Sequence, residues 1–405
     1  MQNSVSVRFL DRTTPPHITT LILIAGISAL SMNVFLPSLP NMTAYFSTDY
    51  RLMQLSVSVY LAVNAVLQVV VGPISDRYGR RPVVLAGMVV FTLASIGCVM
   101  ATTVEVFLAF RMLQAAVVVG MVLSRAVVRD MVPQDQAASM IGYVTMGMAL
   151  VPMIGPVFGG FLDEAFGWQA NFWLMAVLGI GIWALTWADL GETATHRSTS
   201  FAAQFRQYPE LLMSRRFWGY CLAAAFGSGA FFAYLGGAPY VGSVVYGLNP
   251  AELGVYFGAP AAGYFLGNFF SGRYSMRVGI NHMILTGTLI VVSGMALLLA
   301  LFYAGLDSVN VFFGFMTFVG LGNGLLMPNA NAGLLSVRPH LAGSASGLGG
   351  AIMIGGGAAL SALAGALLSP GTGAYPLIWI MLCTSILSLA SILYVLQRER
   401  QLAPL

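Results

Sequence analysis

The chain has 405 residues, of which 58% are hydrophobic and only 8% are charged, and its mean hydropathy is +0.82. A soluble domain carries about 25% charged residues, so this composition excludes a water-soluble globular protein. It favours a chain embedded in a bilayer, where each spanning helix needs roughly 20 mostly apolar residues. All 18 basic residues are arginines, and the net charge is +4.

Apolar runs follow one another along the whole chain, separated mostly by short polar links. We therefore predict an all-α integral membrane protein whose consecutive helices are antiparallel neighbours. The twelve predicted spans are 18–40, 52–74, 82–102, 104–127, 137–161, 170–189, 217–238, 251–272, 283–304, 309–332, 342–368 and 375–396.

One polar link is longer than the others and divides the spans into six and six. We predict an N-terminal six-helix bundle at 1–189, a cytoplasmic linker at 190–216 and a C-terminal six-helix bundle at 217–405. Residues 75–81 resemble residues 271–277 at an offset of 196, which indicates two pseudo-symmetric halves. Two similar halves with a binding site between them are the usual architecture of secondary transporters.

The arginines are distributed asymmetrically about the predicted spans. All but two of the 18 fall in the terminal segments or in the links on the side of the termini. The exceptions are Arg51 on the other side and Arg111 within span four. The positive-inside rule then places both termini and the linker in the cytoplasm. The basic balance indicates membrane topology, and we expect no nucleic-acid partner.

The link after span two carries the sharpest motif of the sequence. It reads Gly-Pro-Ile-Ser-Asp-Arg-Tyr-Gly-Arg-Arg-Pro over residues 72–82 and resembles the loop 2–3 signature of the major facilitator superfamily. The alternative is a generic positive-inside loop. The resemblance implies a conformational latch in which Asp76 faces the start of span eleven near Ser344, and Arg80 or Arg81 pairs with Asp130. The latch residues are Gly72, Asp76, Arg77, Gly79, Arg80, Arg81 and Asp130.

Two further motifs resemble the same superfamily. Arg111 to Gln114, followed by Arg125 to Asp130, resembles its span-four motif. A run rich in glycine and proline in span five resembles the antiporter motif of drug exporters, and its alternative interpretation is tight packing with a kink. The antiporter-motif residues are Gly147, Pro152, Gly155, Pro156, Gly159 and Gly160.

Residues 31–40, 328–331 and 343–346 resemble the Bcr/CflA-type drug exporters within this superfamily. The resemblance implies a drug:proton antiporter for multidrug efflux and antibiotic resistance in the bacterial inner membrane, working as a monomer. Asn33 departs from the pattern, because most relatives carry a titratable aspartate there.

The candidate substrate and coupling site is drawn from polar residues within the spans. Arg111 is the one clearly buried charge, and such charges face water or a partner. Its alternative is a structural arginine bonding carbonyls, Asn33 or Gln114. The polar residues of spans two and ten have interhelical hydrogen bonding as their alternative. The candidate residues are Asn33, Tyr60, Asn64, Gln68, Arg111, Gln114 and Asn323. We expect a neutral to positive cavity and neutral or anionic amphiphilic substrates.

Energy coupling is the least determined part of the prediction. The resemblance implies proton antiport with no cofactor, but no acid lies deep in a predicted span, and Glu105 is the nearest. An uncoupled facilitator or a metabolite exporter is the alternative. A membrane enzyme would need a nucleophile with a base, or a His/Asp cluster, at membrane depth. The sequence shows neither, nor any metal-ligand spacing. A sensor or scaffold would not require the latch motif.

Overall fold

The computed structural model describes residues 7–131, 140, 144, 151, 154–194, 208–338 and 341–402. The predicted motif residues Gly147 and Pro152, and most of the predicted linker, lie outside this part of the chain. The described residues are almost entirely helical, as the sequence predicts.

The helices of the first half are α1 (Ile18–Asn33), α2 (Leu39–Tyr45), α3 (Tyr50–Tyr78), α4 (Arg80–Met100), α5 (Val104–Gln114), α6 (Val118–Met131), α7 (154–166) and α8 (Gln169–Asp189). The helices that follow are α9 (Tyr208–Leu212), α10 (Arg215–Tyr240), α11 (Pro250–Tyr256), α12 (Gly258–Val278), α13 (Ile280–Tyr303), α14 (Val309–Ser336), α15 (Ala342–Leu367) and α16 (Tyr375–Leu402).

Ten helical stretches in the described ranges are long and apolar enough to cross a membrane. They coincide with all the predicted spans except the fifth and the eighth. Span five lies largely outside the described ranges, and α7 is its last part. Span eight folds as α11 and α12, which meet end to end at Phe257. The architecture is therefore the predicted all-helical membrane bundle.

The internal repeat is visible in the backbone at two glycines. Gly79 separates α3 from α4 with φ = 101°, and Gly279 separates α12 from α13 with φ = 88°. Both donate their N–H to the serine four residues earlier, Ser75 or Ser275, at 2.9 Å. A positive φ is readily adopted only by glycine. The two glycine turns are 200 residues apart. This structural offset between the halves is about one helical turn longer than the offset of 196 predicted from the similar segments 75–81 and 271–277.

The two ends of the bundle are named here by their loops. The arginine end carries residues 76–81 and Gly279, and the far end carries the turns at 101–103 and 304–308. Helices α1 to α8 pack mainly among themselves, as do α10 to α16, and the most extensive contact between the halves joins α3 to α15. Backbone-to-backbone contacts are made at glycine: a methyl group at Gly320 would overlap the carbonyl oxygen of Pro260.

Candidate functional site

Arg111 lies in a closed pocket inside the first half, and its side chain is 0% exposed. Its Nε donates to the carbonyl of Ser56 at 3.2 Å, and its terminal nitrogens donate to the Ser31 carbonyl at 2.7 Å and the Ser31 hydroxyl at 3.2 Å. Ser31 is in the last turn of α1, where carbonyls lack intrahelical donors. Arg111 therefore caps α1 and joins it to α3.

Neighbouring side chains complete this pocket. The Arg111 guanidinium lies 3.8 Å from the ring centre of Tyr60 and 4.4 Å from that of Phe35. Arg111 also donates to Gln114, whose amide nitrogen donates to Ser95 at 2.7 Å. These contacts match the structural alternative for Arg111, except that Asn33 is not a partner.

The expectation that Arg111 lines an aqueous gap does not hold in this conformation, because packed side chains and carbonyls enclose it. Its contribution to transport stays a prediction.

Three of the other predicted polar residues retain unused hydrogen-bonding capacity. Asn33 donates to the Ala29 carbonyl at 2.9 Å, but its Oδ1 has no partner among the described residues. Asn64 accepts from Gln68 at 3.0 Å, and its own Nδ2 has no partner in the same ranges. In the described part of the chain, neither amide atom of Asn323 has a partner. Buried polar atoms without partners are uncommon, so these amides are available for a ligand or water.

Tyr234 has the same property, although it is not among the candidate site residues; from the sequence, this span-seven aromatic could line an apolar pocket or equally face lipid. Its ring packs at 5.0 Å from that of Phe257, yet its buried hydroxyl has no partner in the described part of the chain. Among the many aromatic residues of span seven, the sequence offers no signal that distinguishes one facing the interior of the protein.

Arg125 is a second intramembrane arginine, which the sequence pattern assigns to the terminal side. It lies within α6, six residues before the helix ends, and is only partly exposed. The described residues provide it with no ion pair, and its Nε has no hydrogen-bond partner. Tyr264 of α12, in the other half, lies within electrostatic range of its guanidinium. Arg125 therefore presents a positive charge on the side of Tyr264, without an ion-pair partner among the described residues.

Three of the predicted latch residues contact one another at the arginine end, within the first half. Arg80 contacts Asp76 at 2.5 Å and Asp130 at 3.1 Å, so of the two arginines proposed for Asp130 it is Arg80 that pairs. Arg81 instead donates to the carbonyls of Leu190 and Trp187, at 2.8 and 3.0 Å.

The remaining latch residues have simpler surroundings. Arg77 is exposed and lies over the Tyr78 ring at 5.5 Å. Gly79 forms the turn described above, and Gly72 has open space beside its Cα. The predicted approach of Asp76 to Ser344 stays a prediction.

The second half has its own polar cluster at this end, built differently. Glu399 of α16 accepts hydrogen bonds from Arg216 at 2.7 Å, Tyr220 at 3.0 Å and Asn281 at 2.5 Å. At the offset of 200, Asp76 corresponds to Met276, which is 98% exposed. The charge cluster is therefore not duplicated by the repeat, although the glycine turn is.

The glycines of the span-five motif are sites of close helix contact. A methyl group at Gly159 would overlap the Val34 carbonyl oxygen of α1, and one at Gly155 would lie 3.3 Å from Leu30. A methyl group at Gly160 would overlap the carbonyl of Pro250 in the other half. The described glycines of the motif therefore agree with the tight-packing interpretation. Gly160 also makes a close contact between the two halves.

Further contacts close the two halves together at the far end. A methyl group at Gly254 would lie 2.5 Å from the Pro156 carbonyl oxygen, and the Tyr50 hydroxyl donates to the Gly236 carbonyl at 3.2 Å. Gln54 of α3 donates to the carbonyl of Ser361 in α15 at 2.7 Å. Hydrogen bonds and glycine contacts of this kind hold the end shut through neutral groups.

Two helical halves that pack mainly within themselves and enclose polar side chains without partners among the described residues fit the architecture of a secondary transporter. The sequence model of the Major Facilitator Superfamily matches residues 21–353 and 245–404. The chain belongs to this superfamily, as its motifs indicated.

Individual proteins agree with the family assignment. A chloramphenicol resistance protein of Pseudomonas aeruginosa is 31% identical over 81% of this chain and 79% of its own length. A bicyclomycin resistance protein homolog of Haemophilus influenzae is 27% identical over 87% of this chain and 89% of its own. These relatives confirm the predicted Bcr/CflA type. A crystal structure of the peptide transporter POT in complex with sulfate covers 95% of both chains with a TM-score of 0.77 at 14% identity, which shows the shared fold.

Proposed function

We propose that this protein exports small amphiphilic compounds, including drugs, from the bacterial cytoplasm by alternating access. The two moving units are residues 1–189 and 217–405, joined by the linker at 190–216. The arginine end faces the cytoplasm, with both termini, and the far end faces the periplasm. The relatives named for chloramphenicol and bicyclomycin resistance support this activity.

The observation that carries the mechanism is the neutral joint at the far end. Helix α7 meets α11 through Gly160 and Gly254, and Tyr50 meets Gly236 through one hydrogen bond. A neutral hydrogen bond contributes only about 0.5–1.5 kcal/mol net. Such a joint opens at low cost, whereas the arginine end of the first half is held by the two ion pairs of Arg80. The halves can therefore rock while each half stays rigid.

The charge of Arg125 supports a proposal for the substrate class. Arg125 has neither an ion-pair partner nor a partner for its Nε among the described residues, and an arginine at membrane depth costs about 2.5–3.5 kcal/mol unless it meets water or a counter-charge. An anionic or strongly accepting group of a substrate would supply that partner. Asn323 and Tyr234 add neutral hydrogen-bonding groups. We therefore favour neutral and anionic amphiphiles as substrates. The positive charge that supports this preference is that of Arg125, in place of the Arg111 charge expected from the sequence.

A drug-susceptibility panel in a pump-deficient bacterium tests the substrate class. Arg125→Gln should lower resistance to anionic compounds about tenfold, as expected for the loss of a charged hydrogen bond, and leave neutral compounds less affected. Arg129→Gln is the matched control, since this exposed arginine lies one turn further along α6. Equal loss for anionic, neutral and cationic compounds would contradict the assignment.

Uptake into proteoliposomes tests the coupling. We expect the proton gradient to be the energy source, so an imposed pH gradient should drive accumulation of substrate above equilibrium. Asn33 cannot titrate, and the uncoupled facilitator is the alternative. Equilibration without accumulation, unchanged by the gradient, would establish that alternative.

A further inference from the structure

Asp163 is a buried carboxylic acid that the sequence pattern places outside the membrane spans. It lies near the end of α7, two residues beyond predicted span five, and is 4% exposed. Its neighbour Glu164 is exposed. Carboxylates are almost never fully buried unless they are paired with a cation or neutralised by a proton.

The groups around Asp163 are neutral hydrogen-bonding side chains. Asn41 of α2 donates to its Oδ2 at 3.0 Å, and the Ser38 side chain lies close enough to influence the carboxyl. Asn171 of α8 donates to Ser38 at 2.9 Å, while its Oδ1 has no partner among the described residues. The buried Nε1 of Trp168 is likewise without a partner there.

No cation of the described chain forms an ion pair with Asp163. The charged group that influences Asp163 electrostatically is another acid, Glu164 on the same helix. Glu164 and Glu252 of α11 together line a neighbouring cleft of about 370 Å³. The titratable Tyr45 packs against Trp168 at 5.3 Å. Burial raises the pKa of the Asp163 carboxyl, although Ser38 and Asn41 oppose the shift.

The position of this acid relates it to the joint between the halves. Gly160, which touches Pro250 across the boundary, lies one turn earlier on α7. The segment that carries Ser38 and Asn41 packs against α10 and α11 of the other half. Opening the far end must separate these elements, and water would then reach Asp163 through the exposed Asn41.

We propose that Asp163 is a proton-binding site that couples protonation to closure of the far end. The neutral acid fits the dry, closed cluster, whereas the carboxylate is stabilised by the water that enters when the end opens. The closed state raises the pKa of the Asp163 carboxyl. Protonation of Asp163 therefore stabilises the closed far end fully below the ordinary pKa of aspartate, and this stabilisation is lost as the pH rises through the raised pKa. This inference rests on the proposed alternating access and places a proton-sensitive element at the periplasmic side.

Spin labels on the two halves test the coupling without any substrate. Cysteines replace Thr102 and Leu306, which are exposed in far-end turns of opposite halves, in a background whose three native cysteines are serine. In the purified protein, the distance between the labels should lengthen as the pH is raised. Asp163→Asn, which imitates the protonated acid, should hold the short distance at every pH. Glu164→Gln should behave like the parent.

A second variant covers the case in which Asp163→Asn fails to fold. Asn41→Ala removes a donor that stabilises the carboxylate in the closed state, so the ratio of open to closed protein at high pH should rise roughly tenfold above that of the parent. A pH response in Asp163→Asn equal to that of the parent, or an unchanged ratio at high pH in Asn41→Ala, would overturn the proposal. Absence of substrate transport with the distance response intact would count against the exporter function alone.

Discussion

Replacing Arg111 by methionine should mainly reduce the folding stability of the first half. Its effect on the choice of substrate should be secondary. The substitution leaves the carbonyls of Ser31 and Ser56 and the side chain of Gln114 without their donor. Each buried acceptor that loses its partner costs about 1–3 kcal/mol, and a desolvated cation–π contact contributes about 2 kcal/mol. Since such terms overlap, we expect a total of about 5 kcal/mol.

The effect is measured as thermal stability in detergent. For a unit of this size about 2–4 °C is lost per kcal/mol, so Arg111→Met should lower the apparent Tm by about 10–20 °C. Arg111→Lys keeps the charge but not the planar fork, and should lose about half as much. The Tm is the temperature at which half the protein still elutes as a single species in size-exclusion chromatography.

A matched control separates packing from a general effect of charge removal. Arg51→Met removes an exposed arginine at the far end and should change the Tm by no more than about 2 °C. If Arg111→Met keeps the parental Tm within the same margin while transport is abolished, the structural account of Arg111 is refuted. The arginine would then belong to the transport site, as predicted from the sequence.

Three other substitutions test the joint and the two polar clusters. Gly160→Ala should prevent closure of the far end and abolish transport, because the added methyl group overlaps the carbonyl of Pro250. Gly72→Ala is the control: its methyl group would enter open space, so transport measured in the same assay should not change. Arg80→Met breaks both ion pairs of the latch and should lower the Tm by about 5 °C, less than Arg111→Met, because the acids it releases are partly exposed. Glu399→Gln keeps the shape but weakens the bond to Arg216, so its loss of Tm should be smaller than that of Arg80→Met.

Local sequence patterns were sufficient for the positions of most spans and for the family. The apolar runs are set by the thickness of the bilayer, which is why ten of the twelve predicted spans reappear as helices. Span eight was predicted as one helix, but the structure breaks it at Phe257 after the short helix α11. The sequence singled out Gly79 as a motif residue, and the structure shows that it forms a turn with a positive φ, which glycine readily adopts. Gly279 forms the equivalent turn in the second half, also with a positive φ. The similarity between residues 75–81 and 271–277 had placed the repeat one helical turn away from this position.

Contacts between helices decided the site. Arg111 and Arg125 both fall within predicted span four at 104–127, although the distribution of arginines assigned Arg125 to the side of the termini. Only packing shows that Arg111 turns into the first half, where Ser31 and Gln114 bind it, while Arg125 turns toward Tyr264. Likewise, the burial of Asp163 depends on α2 and α8, which are distant in the chain.

The amino-acid sequence by itself determined which segments enter the bilayer and which family they form, because these depend on hydrophobicity and short motifs along the chain. The tertiary structure decided which charges are enclosed and which remain without a partner. The physical reason is that the free energy of a buried charge depends on the groups brought to within a few ångströms of it, and here those groups come from other helices.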